Sequence, residues 1–369
     1  MVDVSQKSHF SRGVGGLRRR EFLQLLTTIG VSFPNPLSNA NQDTNEEPTA
    51  ANPLDLAYLQ QGLNALARAH QLSSMAGHLG AAMIAGYFVA AQLPKLDQVV
   101  YQGIEDDLQR VVRGESVFGK KMSKDSPFAD SELFLPFPEQ PADATLIDGI
   151  ADALKQGIDQ TRQSGHNVIF ASLAIRALNE HPEFATPNVV DGIIKLIKMF
   201  RNETPGSGYY GKQQGRIHGN KINLPADDGT PEYRDIQGMT DAVLDELLQL
   251  RSDRHRIGYG SLVHIINHAA AITNLPKFGY ADLVPRAIKS HRQHLRLWRN
   301  LPNVADEKGP MLVSKFTPDN ASYWNSGDVP YDRALLTHRV KTMFGFHEVS
   351  VAANHGTKRQ AHSQLRYLM

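Results

Sequence analysis

The sequence predicts an all-α fold built from repeated helical units. Three segments that are apolar on nearly all sides begin alike and end at proline: Gly77-His78 to Pro94, Gly165-His166 to Pro182, and Gly258-Tyr259 to Pro276. A helix that is apolar all round must be covered by neighbours on every side. The closing prolines are 88 and 94 residues apart. We therefore expect about three three-helix units plus a partial fourth, in an α/α-toroid-like arrangement or a helical array.

Composition and charge narrow the class of protein. Of the 369 residues, 41% are hydrophobic and 21% are charged, which is ordinary for a globular chain. Lysine and arginine number 39 against 38 acidic residues, so the net charge of +1 predicts neither a nucleic acid nor an anionic membrane as partner. The absence of cysteine excludes disulfides, thiolate-held metals and thiol nucleophiles.

Residues 1–40 resemble a twin-arginine (Tat) signal peptide. The segment Arg19-Arg20-Glu21-Phe22-Leu23 matches the motif, a short apolar stretch follows, and Ser38-Asn39-Ala40 offers a cleavage site. The resemblance implies that the Tat machinery exports the folded protein to the periplasm or the extracellular space. The apolar stretch of about 12 residues is too short to span a bilayer, and we expect no stable membrane span in the mature chain. The alternative is a cytoplasmic protein with a chance basic N-terminus.

The rest of the chain is divided into a flexible linker, residues 41–53, and a single helical domain, residues 54–369. Apolar residues at three- and four-residue spacing predict the outer helices at 53–70, 96–112, 143–163, 188–201, 236–251 and 282–298, and a last helix at 332–349. Three long loops, 114–143, 203–234 and 300–330, carry aromatic residues. We expect these loops to be ordered, with short hairpins as the only strands.

Histidine, with 15 copies, is the residue type most suggestive of chemistry. His78 and His166 hold equivalent positions in the first turn of two central helices. Units arranged about an axis would bring both rings to one cavity, beside Tyr259 or Gly260 of the third unit. There the imidazoles could act as acid, base or metal ligand near neutral pH. The alternative is a repeated capping residue whose ring bonds a backbone carbonyl.

A second histidine pattern suggests a metal. His264 and His268 are four residues apart, so they share one helical face and could bind one divalent ion, although the segment lacks the glutamate of a zinc protease. His291 and His294 lie on a helix rich in lysine and arginine and are predicted to be solvated. The last helix, which carries His338, is interpreted as an ordinary amphipathic one.

The loop 203–234 and the residues after it are dense in polar side chains. A mobile lid over a pocket would have this composition, and so would a surface loop that rests on tyrosine rings. If the segment is a lid, it supplies two catalytic candidates, His218 and Asp235. The binding candidates are Tyr209, Tyr210, Lys212 and Arg234, together with Tyr259.

Helices that open with histidine and run into Ile, Leu and Ala are similar to those of questin-oxidase-like proteins. The matching openings are Gly77-His78, Gly165-His166 and Val263-His264, within a resemblance that covers about half of the chain. The resemblance implies a helical oxidoreductase that acts on aromatic substrates.

The sequence names no reaction. The expected protein is an exported, soluble enzyme that acts on a small or sugar-like substrate in a histidine-lined central cavity. The sugar-like substrate is inferred only by analogy with the fold. The alternative is a non-catalytic helical scaffold that binds a ligand or a protein on its concave face. A His-bound divalent metal is the one cofactor that the residues suggest, and a small molecule is the expected ligand.

Overall fold

The computed structural model describes residues 54–118, 130–327, 332–354 and 356–369. These residues are mostly helical, which confirms the all-α class. The predicted Tat signal at 1–40 and the predicted linker at 41–53 lie outside the described residues.

The described residues form helices that we number in chain order. They are α1 (Leu56–Arg68), α2 (Gly77–Gln92), α3 (Gln98–Val112), α4 (Asp148–Lys155), α5 (His166–Glu180), α6 (Pro187–Met199), α7 (Ile236–Leu248), α8 (Ser261–Asn274), α9 (Val284–Arg299), α10 (Ala305–Lys308), α11 (Ala321–Asn325), α12 (Leu335–Ala352) and α13 (Lys358–Ser363). Two short strands, β1 (Ser207–Tyr209) and β2 (Arg216–His218), pair antiparallel.

Four helices, α2, α5, α8 and α12, form the interior of the described fold. Helix α2 contacts α5, α5 contacts α8, α8 contacts α12, and α12 contacts α2. The remaining long helices cover them: α1 and α3 pack on α2, α4 and α6 on α5, and α7 and α9 on α8. The three segments predicted to be apolar all round are therefore helices that neighbours cover on all sides.

The interpretation of the last helix as amphipathic was wrong. Helix α12 is buried along nearly its whole length, including charged residues such as Arg339 and Glu348. The Arg339 guanidinium donates to Asp107 Oδ2 at 2.8 Å and to the Tyr323 hydroxyl at 2.9 Å, so its charge is compensated inside the protein. Charges paired in this way make a core helix look like a surface helix in the sequence.

Helix α2 is rich in glycine and alanine because its backbone lies very close to α1. A Cβ atom added to Gly80 would lie 2.4 Å from the Leu66 nitrogen and from the Gly62 carbonyl oxygen. By length and composition alone, Ser74–Gln92 could also cross a membrane, but 78% of its most apolar window is buried inside the protein. Its apolar character is that of a core helix packed at close range.

Two helix boundaries differ from the prediction. The helix predicted at 143–163 is a 3₁₀ turn, Ala144–Ile147, followed by α4, which ends at Lys155. Tertiary contacts hold the chain beyond it, since the Thr161 amide and hydroxyl bond Gln293 and the Ser290 carbonyl of α9. The third central helix begins at Ser261 rather than at Gly258, because residues 258–261 all have positive φ.

The loop 203–234 is ordered over the hairpin of β1 and β2, as predicted for loops with aromatic residues. The Tyr209 amide donates to the Ile257 carbonyl at 2.8 Å, and the Tyr259 amide donates to the Ser207 carbonyl at 2.9 Å. These bonds attach the hairpin to the turn before α8 and so place it at the N-terminal end of that helix.

Candidate metal centre

Four histidines meet where the N-terminal ends of the central helices converge: His78 of α2, His166 of α5, His264 of α8 and His338 of α12. Each lies in the first turn of its helix and is between 0 and 8% exposed. The Nε2 atoms of His78 and His166 are 3.0 Å apart, those of His166 and His264 3.1 Å, and those of His264 and His338 3.3 Å. The nitrogens of the first three all lie within 4.8 Å of one another, so this buried triad could hold a metal ion.

Each of the four rings is held by its other nitrogen. Nδ1 of His78 bonds the Met75 carbonyl at 2.8 Å, that of His264 bonds Gly260 at 2.5 Å, that of His338 bonds Ala334 at 2.7 Å, and that of His166 bonds Gln163. A carbonyl oxygen only accepts, so each Nδ1 must carry the proton. In a neutral ring the Nε2 atom is then an unprotonated acceptor.

All four rings are neutral at pH 7. Burial lowers the pKa of His264 to about 3 and those of His78, His166 and His338 well below 6.5. Along the series His78, His166, His264 and His338, neighbouring Nε2 lone pairs therefore face each other without a proton between them. Electrostatic repulsion opposes this arrangement unless a cation lies at its centre.

The nitrogen spacing matches the coordination shell of a transition metal. Imidazole nitrogens lie about 2.0–2.1 Å from zinc, which places the corners of a tetrahedron about 3.3–3.4 Å apart. An octahedral shell at the same bond length would separate neighbouring nitrogens by about 2.9 Å. The separations of 3.0–3.3 Å between successive rings lie within this range, and the nitrogens of His78, His166 and His264 lie within 4.8 Å of one another, so these three rings could hold a metal ion, with His338 next to His264.

Unusual backbone conformations aim two of the rings. Ser164 and Ser261 adopt positive φ angles of 61° and 59° immediately before or at the start of α5 and α8. Gly260 has a φ of +69°, and a Cβ atom there would lie 2.3 Å from Cγ of His264. Such strained turns persist only where the surrounding structure holds them, and they are concentrated at functional sites.

A second group of histidines, His268, His291 and His294, packs next to the turn 258–261 that precedes His264. The prediction that His291 and His294 are solvated was wrong: both are fully buried, because the face of α9 that carries them packs on α8. His294 Nε2 donates to the Tyr259 carbonyl at 2.8 Å. His268 Nδ1 lies 3.4 Å from His294 Nδ1, so His268 is directed to this group while His264 is directed to the metal centre.

The four-histidine cluster opens into a cavity of about 440 Å³. Phe118 stacks on His78 with ring centroids 3.9 Å apart, and Met75, Leu250, Trp298 and Met311 add apolar wall. Polar groups reach the cavity from Gln163, Ser164 and Ser207, and three arginines, at 251, 254 and 256, line it. This volume is in the range of small-molecule sites.

The other predicted site residues lie away from the cavity lining. The Tyr259 carbonyl accepts the hydrogen bond from His294. The Tyr259 ring is buried under the hairpin, and its hydroxyl lies 3.3 Å from that of Tyr210. Tyr209 and the Lys212 amide bond Glu307.

The remaining three predicted residues are exposed. His218 Nδ1 is 3.3 Å from the Thr204 hydroxyl, Asp235 caps α7 by accepting from the Gly238 amide at 2.8 Å, and Arg234 lies at the surface.

The sequence analysis did not assign His338 or the arginines to the site. His338 could have been found by its position, since it lies in the first turn of a central helix like His78 and His166. No pattern in the sequence distinguishes the cavity arginines from surface arginines, because a loop brings them there.

Lys341 lies three residues after His338 and is 3% exposed, and the described residues offer it no hydrogen bond or ion pair. Burial lowers the pKa of its ammonium group well below 10.5. We expect Lys341→Met to raise the free energy of unfolding by about 1–3 kcal/mol at pH 7, because methionine fills a similar volume without a buried polar group. Exposed Lys195, replaced in the same way, should change it little.

The same shift predicts a pH dependence. Between its lowered folded-state pKa and 10.5, Lys341 binds a proton in the unfolded chain that the folded state lacks, so the free energy of unfolding contributed by this residue rises with pH over that interval. The advantage of Lys341→Met should therefore shrink as the pH rises towards 10.5 in chemical unfolding experiments. If Lys341→Met instead lowers the free energy of unfolding, the Lys341 amine has a favourable partner in the folded protein.

Comparison of the chain with protein families, with curated proteins and with solved structures finds no match, so the site is interpreted from its own geometry.

Proposed function

We propose that this protein is a metal-dependent enzyme that binds one divalent transition-metal ion through His78, His166, His264 and His338 and acts on a small molecule in the adjoining cavity. The observation that carries the proposal is the convergence of unprotonated Nε2 atoms at 3.0–3.3 Å, with each proton fixed on the opposite nitrogen. Hydrogen bonds from the far ring nitrogen to backbone carbonyls are typical of histidine ligands, because they orient the ring and increase its basicity.

The ligand set favours zinc, copper, iron or nickel. Imidazole nitrogen suits these ions, whereas magnesium and calcium prefer oxygen ligands, which the four-histidine cluster lacks. Four neutral ligands leave the full positive charge of the ion in place. If it keeps a coordination position open to the cavity, such an ion would polarise an oxygen of the substrate or lower the pKa of a bound water molecule. The apolar walls exclude bulk water and so strengthen both effects.

A second candidate is an oxidoreductase that acts on aromatic molecules. The position of Phe118 against His78, and of Trp298 in the same cavity, favours an aromatic substrate next to the metal. The identity of the metal separates the two candidates, since zinc supports Lewis-acid chemistry and copper or iron supports oxidation. A non-catalytic scaffold would require no metal.

The proposal extends to architecture and location. The order of contacts among α2, α5, α8 and α12 supports a closed ring of helical units around the metal centre, an α/α-toroid-like arrangement. The twin-arginine motif at Arg19-Arg20 supports export by the Tat machinery. A pathway that carries folded proteins suits an enzyme whose metal is inserted before export.

Elemental analysis of the purified full chain tests the metal centre. We expect about one equivalent of zinc, copper, iron or nickel per chain, and a lower melting temperature after dialysis against a chelator, because a ligand that binds only the folded state stabilises it. Magnesium added to the chelated protein is the control and should restore nothing. Failure of all four transition metals to bind or to raise the melting temperature would contradict the proposal.

A further inference from the structure

One arginine of the cavity has a buried donor that none of the described residues pairs. Arg256 lines the same cavity as the four histidines, and its guanidinium carbon lies 4.9 Å from the centroid of the Trp298 ring. Its Nε atom is buried and makes no hydrogen bond, and the described residues offer the side chain no ion pair. A buried donor without an acceptor is costly, and because the Arg256 side chain also lines the cavity, an anion bound there would compensate its charge.

The other charged groups that line the described part of the cavity do not supply it. Glu246 is the one carboxylate among them, and its Oε1 accepts from Arg299 Nη1 at 2.7 Å. Arg251 donates from Nε and Nη2 to the two carboxylate oxygens of Asp253, each at 3.0 Å. Arg254 is exposed to solvent. The cavity therefore presents an excess of positive charge, with the guanidinium of Arg256 free to bind an anion.

We propose that the substrate is a small, mainly apolar molecule with one carboxylate group, which Arg256 binds while the apolar part contacts Trp298 and Phe118. The inference rests on the proposed function, because it takes the molecule bound there to be the one that reaches the metal. The planar guanidinium presents parallel N–H donors that match the two oxygens of a carboxylate.

The apolar side chains that line the cavity indicate the chemistry of the rest of the substrate. Phe118 lies on the ring of His78, next to the metal centre, and Trp298 lies against Arg256. Flat apolar surfaces at both positions favour an aromatic ring system between them. A phosphate carries more charge and more acceptor oxygens than the guanidinium of Arg256 can pair, and Arg254 is exposed to solvent, so we assign a carboxylate.

Calorimetric titration of the full-length protein with three related probes tests the assignment: 1-naphthoate, 1-naphthamide and 1-naphthyl phosphate. We expect naphthoate to bind at least about tenfold more tightly than the uncharged amide, since hydrogen bonds to charged groups are worth about a factor of 10 to 100 in affinity. Naphthyl phosphate should bind more weakly than naphthoate. Metal content is measured in the same samples.

Substitutions locate the binding group. Arg256→Met should weaken naphthoate about 10- to 100-fold and leave naphthamide unchanged, and Arg256→Lys should fall between. Arg251→Met is the matched variant within the same cavity, and it should alter naphthoate affinity less than twofold because Asp253 already engages that guanidinium. If Arg256→Met does not fold, the comparison of the three probes on the unmodified protein and on Arg256→Lys decides.

Equal affinity for naphthoate and naphthamide overturns the proposal, as does tighter binding of the phosphate or binding of none of the three. Unchanged naphthoate affinity in a folded Arg256→Met variant overturns it as well. If the protein holds no metal but binds carboxylate through Arg256, the proposed ligand class is supported and the proposed metal centre is contradicted. If the protein binds metal but does not prefer the carboxylate, the metal centre is supported and the ligand class is contradicted.

Discussion

Replacing His166 by alanine is expected to abolish stoichiometric metal binding. His166 is central in the cluster, because its Nε2 atom lies 3.0 Å from that of His78 and 3.1 Å from that of His264. Removing a residue that only hydrogen-bonds a metal ligand lowers metal affinity about 10- to 100-fold. Removing a direct ligand should therefore lower metal affinity more than about 100-fold. Titration of the chelated variant with zinc or copper, followed by elemental analysis, measures the effect.

The effect on stability separates a ligand from a structural cap. If His166 only bonds a backbone carbonyl, alanine should lower the free energy of unfolding by about 1–3 kcal/mol whether or not metal is present. If it is a ligand, the metal-loaded protein should lose far more stability than the chelated protein. In the chelated protein, removal of one of the opposing lone pairs offsets part of the loss.

His70 provides a matched control for this substitution. Its Nδ1 bonds the Ala67 carbonyl at 2.8 Å, the same bond three residues back that His78 makes, but it is not among the residues that line the cavity. His70→Ala should keep full metal content. Equal loss of metal in His70→Ala and His166→Ala, or none in either, would contradict the assignment of the centre.

Acidification is expected to unfold the metal-free protein steeply between pH 6.5 and about pH 4. Burial lowers the pKa of His264 to about 3, of His291 to about 3 and of His294 to about 4. Within this interval the unfolded chain protonates these rings and the folded state does not, so the free energy of unfolding falls as the pH falls. Each ring contributes up to about 1.4 kcal/mol per pH unit. The three rings together contribute up to roughly 4 kcal/mol per pH unit.

Chemical unfolding in the presence of a chelator, from pH 8 to pH 4, measures this slope. The histidines should add no pH dependence above about pH 7, and stability should be lost below 6.5, since most domains have only about 5–15 kcal/mol to lose. Replacement of exposed His218 by alanine is the control and should leave the profile unchanged. A profile that is flat down to pH 4 would show that the buried rings are already protonated in the folded state. With metal present the loss should be steeper, because protons compete with the ion for the ligands.

The periodicity of apolar residues identified most of the fold in advance. It located the three segments that become α2, α5 and α8, because a helix without a polar face can only be an interior one. It failed at α12, where Arg339 is paired with Asp107 in the core. Periodicity reports which residue types recur, and it does not distinguish a solvated charge from one that a distant partner neutralises.

The candidate site was predictable in part. The shared position of His78 and His166 indicated two members of the cluster, and the interest in His264 as a metal residue indicated a third. The pairing of His264 with His268 and the expected contribution of the Tyr259 ring followed from spacing along an assumed helix. Four consecutive residues with positive φ, 258–261, delay the start of α8 and bring His264 to the position that Tyr259 was expected to occupy.

The amino-acid sequence by itself determined that this protein is helical, that three of its four interior helices lie inside, and that histidines open two of these, because these properties depend on residue types a few positions apart. Only the tertiary structure decided that His338 and Arg256 share a cavity with those histidines and that His291 and His294 are buried. The reason is physical: the direction of a side chain depends on where its helix begins and on what packs against it. Those contacts join residues such as His78 and His264 that are far apart along the chain.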